Sequence, residues 1–230
     1  MAQSLSKYYI LLLVLIMAGN TKAQDFANLN KYKSQNTSLP HPTAAQKRIV
    51  FMGDSITEFW NVLEPTYFSD KSYINRGISG QTTPQMLIRF RADVIALQPT
   101  AVVILAGIND IASNTGPSTI EMIRDNILSM AELAKANNIK VILCSVLPAH
   151  DFPWKANQEP IEKIKALNEI LKNYAEANNI AFVDYYSAMV DERLGLKMEY
   201  SNDGVHPNKT GYQTMEPIVE KAISLALRKD

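Results

Sequence analysis

One cysteine, Cys144, occurs in 230 residues. No internal disulfide can form, so stability rests on core packing. Its setting, Val141-Ile142-Leu143-Cys144, is that of a buried strand, which assigns the thiol to the core and not to nucleophilic chemistry. Histidine is nearly as scarce: His41, His150 and His206 are the whole supply of imidazole. Excess charge is missing too, with 23 basic against 23 acidic residues. Residues 1–23 hold two of the lysines and no acid, so the chain from Gln24 onward carries 21 basic and 23 acidic residues, a net charge of −2. That balance argues against nucleic acid or an anionic membrane surface as the main partner. No Gly-rich phosphate loop follows the first apolar strand, which argues against a nucleotide binder. Repeats and low-complexity tracts are absent.

What is present begins with a leader. Lys7 precedes an uncharged apolar run from Tyr8 to Met17, and Thr21-Lys22-Ala23 places small residues at −3 and −1 of a cleavage point before Gln24. Residues 1–23 are read as a signal peptide, with export to the periplasm or medium. The run is short for a bilayer span, so no stable membrane segment is expected after cleavage. Residues 24–46, polar and containing Pro40 and Pro42, read as an N-terminal extension. Residues 47–230 are long enough for one α/β domain with a sizeable core.

Within that domain, apolar strands are expected at Arg48–Met52, Ser72–Asn75, Ala101–Ala106, Lys140–Ser145 and Ile180–Asp184. Helical patterns lie between them at 82–97, 118–137 and 159–178, with a last one at 210–228. Ile120, Ile123, Ile127, Met130 and Leu133 follow helical spacing, as do Ile161, Ile164, Leu167, Ile170 and Leu171. Alternating strands and helices with nearly continuous apolar strands specify a parallel sheet covered on both faces, a three-layer α/β/α sandwich. With strand order 2-1-3-4-5, the first three strands are neighbours. Sites in such sheets form beyond the carboxyl ends of the strands. Three polar motifs then converge: Gly53-Asp54-Ser55 after strand one, Gly80 after strand two, and Gly107-Ile108-Asn109-Asp110 after strand three.

Each member has a structural and a chemical reading. Ser55 opens a helix, where it is either a nucleophile or the cap of a box closed by Glu58. Ser79, in Gly77-Ile78-Ser79-Gly80-Gln81, is a rival that lacks the final glycine of a nucleophile elbow. Asp203 and His206 are three residues apart, which lets a carboxylate orient an imidazole, though Asn-Asp-Gly is also an ordinary turn. His41 lies in the Pro-rich extension, and His150 has only a poorly placed Asp151 beside it. Gly80, the Asn109 amide and the Ser55 N–H are candidate oxyanion donors. Asp54 and Asp110 read as supports for their loops. After strand four, Phe152 and Trp154 form a candidate wall for substrate. Arg76 and Gln81 are candidates to reach a substrate hydroxyl, though nothing in the sequence places them there, and Trp60 reads as core or helix-face packing.

Phe51-Met52-Gly53-Asp54-Ser55-Ile56-Thr57 resembles the first block of the SGNH (GDSL-type) hydrolases. Asn75–Thr82 resembles their second, Gly107–Asp110 their third and Asp203-Gly204-Val205-His206-Pro207 their fifth. The likeness runs from about residue 48 to the C-terminus, with Ile56 where the type motif has leucine. It extends to the platelet-activating-factor acetylhydrolase catalytic subunit branch and to bacterial carbohydrate esterases. The resemblance implies a flavodoxin-like fold, ester hydrolysis without cofactor or metal, and catalytic Ser55, Asp203 and His206 with Gly80 and Asn109 as oxyanion donors. The substrate expected is a small-molecule or oligosaccharide ester, with O-acetylated carbohydrate ahead of lysophospholipid or a general short-chain ester. A non-catalytic carbohydrate-binding protein is the alternative of a different class. Oligomeric state is not legible in the sequence.

Overall fold

The computed structural model describes residues 25–43 and 45–228. The expected leader, residues 1–23, lies outside them. Five strands, β1 (Ile49–Gly53), β2 (Tyr73–Gly77), β3 (Ala101–Leu105), β4 (Lys140–Cys144) and β5 (Ala181–Val183), form one sheet. All pairings are parallel, in the order β2-β1-β3-β4-β5. Every residue of β1 and β3 is buried, which requires cover on both faces and explains their unbroken apolar runs. Each strand falls within a residue or two of its expected place.

Among the described residues there are nine helices: α1 (Lys33–Ser38), α2 (Ser55–Leu63), α3 (Pro65–Ser69), α4 (Thr83–Asp93), α5 (Ile108–Ile111), α6 (Ile120–Ala136), α7 (Pro160–Ala177), α8 (Tyr185–Met189) and α9 (Lys209–Arg228). Helices α4, α6 and α7 pack in sequence on one side of the sheet, and α2 packs with α9. The long helices bury the stripes that their periodicity announces: Ile123, Ile127 and Met130 on α6, Ile164, Leu167 and Leu171 on α7. The expected helix 82–97 ends at Asp93 and passes into a tight turn at Ile95–Leu97. Among the described residues no helix is long and apolar enough to cross a membrane.

An aromatic stack anchors α2. Trp60 is buried, with its ring stacked on Tyr67 at 5.1 Å and on Tyr212 at 5.3 Å, and edge-on to Phe51 at 5.8 Å. Such rings contribute both area and geometry. Trp60 therefore packs rather than binds, and it holds the helix that begins at Ser55. Cys144 is buried, and that burial pushes its thiol well above the usual range, so it is inert.

The N-terminal segment is more than a lead-in. Ala27 and Tyr32 are buried. The Tyr32 hydroxyl donates to the Gly77 carbonyl, and Gln81 Nε2 donates to the Ala27 carbonyl at 2.8 Å. Arg76 donates to Asn36 Oδ1 through Nε at 2.9 Å and through Nη2 at 2.7 Å. Residues 25–39 thus brace the loop after β2, although no periodic pattern marks them.

Candidate active site

The turn from β1 into α2 is tight because two glycines allow it. A Cβ on Gly53 would collide with the Thr57 hydroxyl, and one on Gly77 with the Glu58 backbone nitrogen. The carboxyl ends of β1 and β2 therefore close directly onto the first turn of α2. Asp54, not Ser55, is the N-cap: its Oδ1 accepts the Ile56 N–H at 2.9 Å. The capping-box reading of Ser55 and Glu58 is corrected accordingly. Glu58 turns away, and its Oε2 accepts the Ser79 N–H at 2.7 Å and the Ser79 hydroxyl at 2.6 Å. Its Oε1 lies 2.8 Å from Lys31 Nζ. These bonds occupy the rival serine and leave the Ser55 hydroxyl without a capping duty.

Ser55 Oγ meets His206 Nε2 at 2.9 Å, across 151 residues of sequence. His206 Nδ1 lies 2.7 Å from Asp203 Oδ2. The loop before α9 folds back on this carboxylate. Oδ1 of Asp203 accepts the backbone N–H groups of Val205 at 2.9 Å and His206 at 2.8 Å. Ser201, which carries no motif in the sequence, donates its hydroxyl to the His206 carbonyl at 2.7 Å and accepts the Gly204 N–H at 3.0 Å. Partial burial works to raise the Asp203 pKa. The N–H of His206, the imidazole and the N–H of Val205 outweigh it and bring the carboxyl down to about 2. The other histidines stay apart: His41 Nδ1 meets Gln98 Oε1 at 3.1 Å, and His150 Nδ1 meets the Arg193 carbonyl at 3.0 Å.

Gly80 lies at φ +75°, in the left-handed region, with open space where a side chain would be. Among the described residues no acceptor engages the N–H of Gly80 or of Ser55. Asn109 is buried, donates one amide hydrogen to the Gln81 carbonyl at 3.1 Å, and keeps the second without a partner among the described residues. Asp110 ties its loop to the first residue of α4. It accepts the Thr83 N–H at 3.0 Å and the Thr83 hydroxyl at 2.6 Å.

Two of these carboxyls make stability depend on pH. Burial raises Asp54 to about 7, against the pull of its Ile56 hydrogen bond and nearby His206. Burial likewise raises Asp110 to about 6, against its bonds to Thr83. Between about pH 4 and 7 the folded chain therefore holds protons that the unfolded chain has released, and stability falls as pH rises through that window. A carboxyl whose folded and unfolded pKa values differ by one contributes about 1.4 kcal/mol, so Tm should drop by ~5 °C or more from about pH 4.5 to 7.5. Thermal melts across that range test this, and Asp110→Asn should flatten the slope.

At the rim, the expected pair of wall residues separates. Phe152 is 1% exposed and packs behind Trp154 at 5.4 Å between ring centroids, so it supports the wall instead of forming it. Trp154 is 44% exposed, with its ring 5.8 Å from that of His206. Phe59, one turn beyond Ser55 and 39% exposed, stands 5.5 Å from His206, a place that nothing in its sequence setting marks. Arg76 and Gln81 are buried in structural bonds, not turned toward substrate. Arg89 is equally unmarked. Its guanidinium is fully buried, pairs with Asp93 at 3.0 Å and donates to the carbonyls of Arg76 and Gly53, each at 2.9 Å. In the sequence, Arg89 and Asp93 four apart on a helix read equally well as a surface pair.

A hydroxyl, an imidazole and a carboxylate chained at the carboxyl edge of a doubly wound sheet have the make-up of an ester hydrolase. The sequence profile of the GDSL-like Lipase/Acylhydrolase family matches residues 51–214, and the chain belongs to that family. It is similar to the crystal structure of a GDSL-like lipase from Bacteroides thetaiotaomicron, with 50% identity, a TM-score of 0.84, and coverage of 87% of this chain and 99% of that one. It is 26% identical over 223 residues to an acetylxylan esterase of Xylanibacter ruminicola, covering 81% of this chain. The match spans only 45% of that relative's length. Esterase TesA of Pseudomonas aeruginosa is 28% identical over 177 residues, covering 71% of this chain and 81% of its own. The protein is a carboxylic ester hydrolase of the GDSL type.

Proposed function

We propose that this enzyme is an exported acetylesterase acting on O-acetylated carbohydrate through Ser55, His206 and Asp203. The observation that carries the reading is the unbroken line of hydrogen bonds from Ser55 Oγ through the imidazole to Asp203, at 2.9 and 2.7 Å. His206 takes the Ser55 proton as Oγ attacks the ester carbonyl carbon. Asp203 holds the imidazole tautomer and stabilises the imidazolium. The N–H groups of Ser55 and Gly80 and the second Asn109 amide hydrogen bind the oxyanion. His206 then protonates the leaving alcohol as the C–O bond breaks. Water, deprotonated by the same imidazole, attacks the acyl-serine, and collapse of that intermediate releases acetate and restores Ser55.

The substrate reading draws on the acetylxylan esterase among the relatives. It also draws on the half-exposed indole of Trp154, a surface on which a sugar ring can stack. Export draws on the charged flank, apolar run and small-residue cleavage point of residues 1–23. The deciding experiment measures acetate released from acetylated xylan and pectin beside fatty acid released from lysophospholipid. Acetate should dominate on the polysaccharides. Release of long-chain fatty acid alone would replace this reading with a lysophospholipase.

A further inference from the structure

Asn114 lies in the loop between α5 and α6, directly after Ser113, whose φ of 56° is left-handed. Its side chain touches both the rim and the candidate oxyanion hole. Oδ1 of Asn114 accepts the Trp154 indole N–H at 3.2 Å. Nδ2 donates to Asn109 Oδ1 at 2.8 Å and lies 3.5 Å from the Gly80 carbonyl. An indole nitrogen can only donate. It therefore fixes the Asn114 oxygen toward Trp154 and the Asn114 NH₂ toward Asn109. That NH₂ in turn draws the Asn109 oxygen to itself and sends the Asn109 NH₂ the other way. There one hydrogen meets the Gln81 carbonyl at 3.1 Å and the other is left for substrate.

We propose that Asn114 is a positioning residue: it sets which end of the Asn109 amide faces the reacting ester, and it couples that choice to the Trp154 rim. The inference rests on Asn109 acting as an oxyanion donor. With the amide reversed, Asn109 would present its carbonyl oxygen to the developing negative charge and repel it. The loop is pinned on both flanks, which keeps the relay in register. Thr115 Oγ1 meets Thr82 Oγ1 at 3.0 Å beside Gly80, and Lys155 Nζ donates to the Ser113 carbonyl at 2.5 Å next to Trp154. Asn114 itself is exposed, so its replacement leaves the core untouched.

The test uses p-nitrophenyl acetate and five forms of the full chain: unsubstituted, Asn114→Asp, Asn109→Ala, the double variant and Trp154→Phe. Asn114→Asp keeps an acceptor for the indole but offers Asn109 an acceptor where it had a donor. Its kcat should fall ~30-fold, below the full ~10²–10³ of a lost oxyanion donor, with KM within about two-fold. In the Asn109→Ala background the same change should cost less than about two-fold, because the amide it orients is gone. Trp154→Phe should lower kcat by about three-fold, since Gln81 still holds one end of the relay. A large Asn109→Ala loss with Asn114→Asp within about two-fold of the unsubstituted enzyme overturns this inference alone. So does an Asn114→Asp loss that persists in full without Asn109. An unchanged kcat in Asn109→Ala overturns the oxyanion reading, and this inference with it.

Discussion

Replacing Ser55 by alanine should lower kcat on an activated acetyl ester by about 10⁵-fold while leaving the melting temperature within a few degrees. The side chain contributes one hydroxyl at the start of α2, and that hydroxyl is bonded to His206. The cap of that helix is Asp54, so the helix loses nothing structural. Turnover would then rest on whatever the oxyanion donors and binding provide without a nucleophile. In such a unit the parts act together: His206→Ala should cost a comparable factor, and the double variant little more than either single. Activity in Ser55→Ala within about ten-fold of the unsubstituted enzyme would refute the acyl-enzyme mechanism. A multiplicative loss in the double variant would mean that the two residues serve separate functions.

Arg89→Ala should lower unfolding free energy by about 4 kcal/mol, and Tm by ~10 °C. The guanidinium is fully buried and forks to four acceptors. These are Asp93 Oδ2, the carbonyls of Arg76 and Gly53, and Gln81 Oε1 at 2.5 Å. Burial depresses its pKa, and the carboxylate of Asp93 counters that. Removing the cation leaves Asp93 in the core with the Asn36 amide at 2.7 Å as its remaining side-chain donor among the described residues. Breaking a buried pair from one side is far costlier than never having built it. The same substitution frees the ends of β1 and β2 on either side of Ser55, so kcat should fall as well. Arg89→Lys should recover only part of either loss, because an ammonium cannot reproduce a planar fork. Denaturant unfolding with parallel esterase assays checks both effects. A loss under about 1 kcal/mol would show that water or repacking replaces the guanidinium.

Much of this architecture is legible without coordinates, because it is written in local signals. The nearly continuous apolar runs expected at Arg48–Met52 and Ala101–Ala106 demand a sheet covered on both faces. The three- and four-residue spacing of Ile123, Ile127 and Met130 demands a helix. The motifs around Ser55, Gly80, Asn109 and His206 stand out because they combine chemistry-bearing side chains with strand ends. Other features are silent in sequence for an equally physical reason: their meaning depends on partners far along the chain. Ser55 and Glu58 have the spacing of a capping box. Asp54 takes the cap, and Glu58 finds Ser79 instead, because the end of β2 packs against that turn. Phe152 and Trp154 look alike as rim aromatics until packing buries one ring behind the other. Residues 25–39 show no periodicity because their anchors are single side chains, Tyr32 and Asn36, and the backbone carbonyls of Ala27 and Phe26, which accept from the side-chain amides of Gln81 at 2.8 Å and Gln85 at 2.6 Å.

By itself, then, the sequence determined the parallel sheet, its helical layers and the residue types able to hydrolyse an ester. Those follow from hydrophobic periodicity and from side-chain chemistry, which act over a few residues. Tertiary structure decided the rest: which serine is free, which histidine reaches it, which way the Asn109 amide points, and which arginine is sealed beneath the site. Each of those outcomes is a hydrogen-bond assignment between segments far apart in the chain. Donors and acceptors pair only once the sheet order has brought their strand ends together.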